Sequence, residues 1–199
     1  MRSIFEQPIS SIEELRKEWA PCTKCVFSSL WKNTGPCLPL GNSTNKEVLV
    51  VGQWPGEKDM QNGVPFSGPQ GRVCTKMLCD AGFDAGKLLL TNVLLCACPM
   101  IPNKEILTNC AKQIDDTIDI TRPKIIVALG KYAATRFGIR KSMSLVHGKL
   151  AIYRNHKVVP CIHPAAIARA GSPTDKADTE RKVMNDLTTA LRIYEGNRD

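Results

Sequence analysis

Apolar runs alternate with amphipathic stretches along most of this chain. Residues 47–51 (EVLVV), 88–95 (LLLTNVLL), 124–129 (KIIVAL) and 157–162 (KVVPCI) read as buried strands. Between them Gln70–Ala81, Lys104–Thr121 and Tyr132–Phe137 carry helical spacing, as does Asp175–Tyr194 after the last. Strand and helix in alternation imply an α/β fold, a three-layer α/β/α sandwich around a central four-stranded, mainly parallel sheet. Residues 32–46 and 170–175 are irregular and are expected as surface loops. In open sheets of this kind ligands bind outside the carboxyl ends of the strands. The segments there are GQWPG, TN running on to CACP, LGK and HPAAIAR, and they present Gln53, Asn92 and His163 as polar groups able to read or attack a small planar ligand. Singly, each candidate has a plainer reading: a turn cap for Asn92, a satisfied polar residue before Pro164 for His163, core packing for Phe66. Their joint position at strand ends favours a site.

Composition narrows the class. The 199 residues, 43% of them hydrophobic, suffice for one domain with a sizeable core. Lys and Arg number 27 against 19 Asp and Glu, and the resulting charge of +8 favours an anionic partner, although a generically basic surface gives the same count. No apolar run approaches the roughly 20 residues that span a bilayer, and MRSIFEQPISS lacks the apolar core of a signal peptide. A soluble intracellular protein is expected, cytoplasmic or nucleoid-associated, with no membrane partner.

Nine cysteines in that setting argue for metal binding over disulfides. PCTKC puts Cys22 and Cys25 at the spacing that lets two thiolates meet one metal centre. A second pair comes from Cys96, Cys98 and Cys110, and by spacing alone zinc and an iron–sulfur cluster are equally served. Cys74 and Cys79, five apart on an expected helix, point to different faces, and with Cys37 and Cys161 they read as free buried thiols.

The motifs in order are CxxC, GQWPGEKDMQNGVPFSGPQG, TNVLLC, a later cysteine opening a helix, RPKIIVALG and HPAAIAR. In this series the chain resembles the iron–sulfur, family 4 branch of the uracil-DNA glycosylases from about Pro21 to Tyr194. The resemblance implies a four-iron four-sulfur cluster on Cys22, Cys25, Cys96 and Cys110, with Cys98 an extra thiol. Because hydrolysis of an N-glycosidic bond moves no net electrons, the cluster's role is structural. It also implies a monomeric enzyme that flips uracil, or a related modified pyrimidine, out of DNA. Phe66 would stack on the base, Asn92 would read O4 and N3–H, and His163 would stabilise the leaving anion. The backbone around Gly52, and Trp54 beside it, would border the base. Ile167 would be the wedge that fills the vacated stack, and Arg169 and Lys131, with Arg140, would hold phosphates. The chain departs from the family pattern at Gln53, where an acid is common, at Trp54, where a small residue is common, and at Ala165, where a serine is usual. Gln53 and Asp59 are carried as the catalytic candidates beside His163. No His lies between Asn92 and Cys110, which disfavours the covalent, histidine-bearing branch of the superfamily. Three readings follow: a glycosylase for uracil or a related pyrimidine, an iron–sulfur DNA-binding protein with weak or no activity, as in a subunit of a replication or repair assembly, and a zinc-stabilised domain acting on a free nucleotide.

Overall fold

A computed structural model describes residues 11–41 and 47–196 of the chain. Five strands form one sheet: β1 (Val48–Gly52), β2 (Leu88–Asn92), β3 (Ile125–Leu129), β4 (Ala151–Tyr153) and β5 (His156–Cys161), in the order β2-β1-β3-β5-β4. The four strands expected from the apolar runs are the parallel ones. The fifth, β4, is an antiparallel edge strand that pairs with β5. It is a three-residue edge, Ala151–Tyr153, with no fully buried position and too short to read as an apolar run. The second strand stops at Asn92, three residues early, because Val93 and Leu94 turn away and donate to the carbonyls of Gly52 and Gln53.

Every residue of β1, β2 and β3 is buried, and alternate side chains feed two cores. Val48, Val50, Leu88, Leu90, Ile125 and Val127 pack with α4 (Pro69–Asp80) and α9 (Pro173–Glu195) on one face. Leu49, Val51, Leu89, Ile126 and Ala128 pack with α1 (Ile12–Trp19), α5 (Lys104–Thr121) and α6 (Gly130–Arg136) on the other. This is the three-layer arrangement that strands without polar alternation require. A third, smaller core of Phe27, Cys37, Met60, Leu94, Cys96, Ile106 and Cys110 gathers α2 (Val26–Leu30), α3 (Glu57–Asn62) and the segment after β2.

The expected long helices form with small shifts of boundary. The last begins at Pro173, where Ser172 caps it by accepting from the Asp175 N–H, so the loop expected over 170–175 ends earlier. Within the other expected loop Leu40 bridges Leu90, and positions 42–46 lie outside the described residues. Short helices at α1, α2, α3, α7 (Met143–Val146) and α8 (Ala165–Arg169) go beyond the sequence reading; several hold a single turn and too few residues for a period. Among the described residues no helix is long and apolar enough to cross a membrane.

Strand order reverses between β1 and β3, which leaves a crevice at their carboxyl ends.

Candidate functional site

A cavity of about 870 Å³ opens at that crevice. Gln53, Trp54, Asp59, Phe66, Asn92, His163 and Arg169 all line it, so the parallel topology brings together residues from four separate segments.

The floor is built by close approach. Gly52 pairs with Asn92 in the β1–β2 register. A Cβ on Gly52 would lie 2.3 Å from Asn92 Oδ1 and 3.0 Å from Phe66 Cζ, so the amide and the ring occupy the space a side chain would fill. Asn92 is itself buried, and its carbonyl accepts from Gln113 Nε2 at 2.7 Å. Gln113, fully buried on α5, is a supporting residue that sequence reasoning missed. Its signal was a polar side chain on a helix face otherwise given to Cys110, Ile114 and Ile118. Phe66 adopts φ 61, a backbone strained for a bulky side chain. Gly71 allows this, because a Cβ there would come within 2.3 Å of the Phe66 backbone.

Asp59 ties the loop after β1 to the Phe66 loop. Its Oδ2 accepts from Gly56 N–H at 2.9 Å and its Oδ1 from Gly68 N–H at 2.6 Å. The carboxylate is buried and both oxygens are engaged by backbone, which makes it an anchor for two loops.

His163 follows β5. The Ala165 N–H donates to its Nδ1 at 3.1 Å, so the ring proton sits on Nε2. Burial, with the charge of Arg169 adding to it, pushes the imidazolium pKa down to about 4. The ring is therefore neutral at physiological pH and carries a fixed donor. Gln53 reaches the same place from β1, its Nε2 lying 2.4 Å and His163 Cβ 3.2 Å from where a Cβ on Gly130 would be. Behind them Asp186 of α9, buried, accepts the Ile162 N–H on Oδ2 at 2.9 Å, and its Oδ1 lies 2.7 Å from His147 Nδ1. Sequence reasoning missed this pair, which lies far from every motif.

Three other candidates stand differently. Ile167 is half-buried against the first core. Arg169 is exposed and lines the cavity. Lys131 is exposed at the start of α6 and is not among the lining residues.

Of the cysteines, Cys96 and Cys110 are buried, and Cys22 and Cys25 are half-buried. Burial pushes the Cys96 thiol up to about 12, helped by the charges of Cys110, Cys25 and Cys22, and Cys110 up to about 11, with Cys25 and Cys22 again contributing. Cys22 and Cys25 thus lie near enough to both Cys96 and Cys110 for their charges to be felt. All nine cysteines are free. Among the described residues no three His, Cys, Asp or Glu side chains converge as ligands of one metal ion. Cys37 is buried in the third core beside this group, and Cys98 lines the cavity with its Sγ donating to Met100 O at 2.5 Å. Cys74 and Cys161 are buried as expected; Cys79 is exposed, since five residues carry it to the outer face of α4.

The model of the uracil DNA glycosylase superfamily matches residues 38–188 of the chain, from the segment before β1 into α9. The chain belongs to the uracil DNA glycosylase superfamily. Several curated relatives carry the type-4 designation. The Type-4 uracil-DNA glycosylase of Sulfurisphaera tokodaii is 32% identical over 198 residues, covering 94% of this chain and 89% of the relative. That of Archaeoglobus fulgidus is 27% identical over 190 residues, covering 90% and 94%, and that of Pyrobaculum aerophilum 31% over 172, covering 81% and 85%. The superfamily match spans the whole cavity floor, from Gly52 to His163, and the long pairwise matches cover most of the chain beyond it.

Proposed function

We propose that this chain is a DNA glycosylase that hydrolyses the N-glycosidic bond of uracil flipped out of DNA. The observation that carries the reading is the neutral His163, its Nε2 proton fixed by the Ala165 bond, sharing one cavity with Asn92 and the ring of Phe66. The names and coverage of the type-4 relatives support the same reading.

In this reading the base stacks on Phe66, and the Asn92 amide offers an acceptor to N3–H and a donor to O4, a pairing cytosine cannot satisfy. As the C1′–N1 bond breaks, its electron pair leaves on the base. His163 Nε2–H donates to O2 of the uracil anion, a fixed donor aimed where charge develops. Water then adds to C1′ and gives up its proton to solvent. Gln53, over Gly130 and beside His163, is placed to orient that water but not to take its proton. Asp59 holds the two loops in place, and Arg169 holds a phosphate.

Cys22, Cys25, Cys96 and Cys110 would hold a four-iron four-sulfur cluster. The donor set fits in kind: four free thiols, with Cys22 and Cys25 near enough to Cys96 and Cys110 for their charges to be felt. When bound, the cluster supplies no reaction chemistry; it ties the N-terminal segment to the loop after β2 and to α5. One soluble domain then carries both pocket and cluster.

One observation favours a second reading, a DNA-binding member with slow base release. Of the two acids that line the cavity, Asp59 is engaged at both oxygens and Glu57 is exposed, where it accepts from Gln61. Single-turnover release of free uracil from single- and double-stranded oligonucleotides separates the two. Release that His163→Ala abolishes supports the glycosylase; tight binding with no release of any pyrimidine overturns it.

A further inference from the structure

The cavity is larger than one flipped pyrimidine requires. Its volume is of the order that takes a drug-sized ligand. Its walls also belong to two different cores: Phe66 and Cys74 to the first, Trp31 and Trp54 to the third. The site described above uses the first wall. The second is aromatic and half-exposed; Trp54, expected to border the flipped base, stands on it, and no step of base release uses Trp31.

We propose that Trp31 and Trp54 form a second nucleobase subsite, which takes the base next to the flipped one in the same DNA strand. The proposal rests on the glycosylase reading and adds to it a reason for preferring single-stranded or unpaired DNA.

Both rings are held in place before any ligand arrives. Trp31 Nε1–H donates to Ala97 O at 3.3 Å. Trp54 packs edge-on against Tyr132 with centroids 5.0 Å apart and planes at 64°. A ring already fixed loses little freedom when a base stacks on it. The Trp31 N–H is spent on the protein itself, so that ring offers a π-face rather than a polar edge. That chemistry suits stacking that tolerates any base. Leu30, 60% exposed, continues the wall outward, and Lys58 and Arg169 line the same cavity, where they can meet the phosphates on either side of a two-nucleotide step. A base that is still paired in a duplex cannot reach this wall without being unpaired and unstacked, which costs free energy that binding a single strand does not.

The test is a binding cycle with the intact holoprotein and a short single-stranded oligonucleotide carrying one 2′-fluorinated deoxyuridine, which resists cleavage. Either neighbour of that nucleotide is replaced in turn by an abasic spacer. One of the two replacements should weaken binding to wild type about tenfold, and should weaken binding to Trp31→Ala or Trp54→Ala less than twofold. Trp31→Phe, which keeps a ring and most of the packing, should retain the wild-type penalty. Since Trp19 is fully buried, quenching of intrinsic fluorescence reports Trp31 and Trp54 and should shrink with the same abasic neighbour. The proposal is overturned if neither abasic neighbour weakens wild-type binding, or if the penalty persists undiminished in both alanine variants. It is also overturned if the duplex analogue binds as tightly as the single strand. Failure of the glycosylase reading is separately visible, as equal affinity for the deoxyuridine analogue and for thymidine at the same position.

Discussion

Asp186 Oδ2 accepts the backbone N–H of Ile162 at 2.9 Å, one residue before His163. A buried carboxylate on α9 therefore fixes the peptide from which the histidine projects. Asp186→Ala should leave that N–H unpaired, costing ~1–3 kcal/mol of stability, and should slow base release more than tenfold with little change in affinity for a non-cleavable analogue. Thermal melts and single-turnover rates, measured on the same preparations, check both parts. Asp186→Asn, which retains an acceptor, should recover most of the rate.

Gly52→Ala is the sharpest test of the pocket. The new methyl would stand 2.3 Å from Asn92 Oδ1 and 3.0 Å from Phe66 Cζ. Since β1 stays apolar and paired, the fold should survive while the base site closes. Release of uracil should fall by ~10²-fold or more, with the circular dichroism spectrum unchanged.

The depressed pKa of His163 fixes the expected pH dependence. Between its folded value of about 4 and the usual 6.5, the unfolded chain binds a proton that the folded chain does not. Stability contributed by this group is therefore full above 6.5 and is lost as pH falls through that window. The single-turnover rate should be flat from pH 5.5 to 8, because the donor stays neutral and no acid base faces the reaction. His163→Ala should lower the rate by ~10²–10³-fold. An inflection near 6.5 that disappears in His163→Ala would contradict the assignment.

Gln53→Glu places a carboxylate beside His163 and over Gly130. It supplies the proton acceptor that the cavity lacks, so the rate on uracil should rise, by up to ~10²-fold, and the pH profile should gain an acid limb. A slower enzyme would show that Gln53 reads the substrate through its amide.

For the cysteines, Cys22→Ala, Cys25→Ala, Cys96→Ala and Cys110→Ala should each lose iron, absorbance at ~400 nm and soluble yield together, because ligation contributes to folding. Cys98→Ala and Cys37→Ala should keep all three. Iron retained by Cys96→Ala but lost from Cys98→Ala would reassign the ligand.

The four parallel strands were legible in the sequence because strands covered on both faces show as unbroken apolar runs, as in LVV of β1 and IIVAL of β3. Their parallel course also fixed which edge would carry the chemistry: it places Gly52, Asn92 and His163 at one end of the sheet, however far apart they lie in the chain. The local spacing of Cys22 and Cys25, and the family motifs, marked the remaining candidates. Tertiary structure alone decided the rest. Asp59 reads from sequence as a free acid near the site, and only the folded loops show its two oxygens taken by Gly56 and Gly68. Gln113, Asp186 and Trp31 act through partners 21, 24 and 66 residues away, and no local pattern encodes a hydrogen bond across such a distance. β4 escaped because Ala151–Tyr153, though apolar, is only three residues long, too short to carry a strand pattern. Periodicity reports which face of an element meets the core, whereas the partner a buried polar group finds depends on which elements the whole chain brings against it.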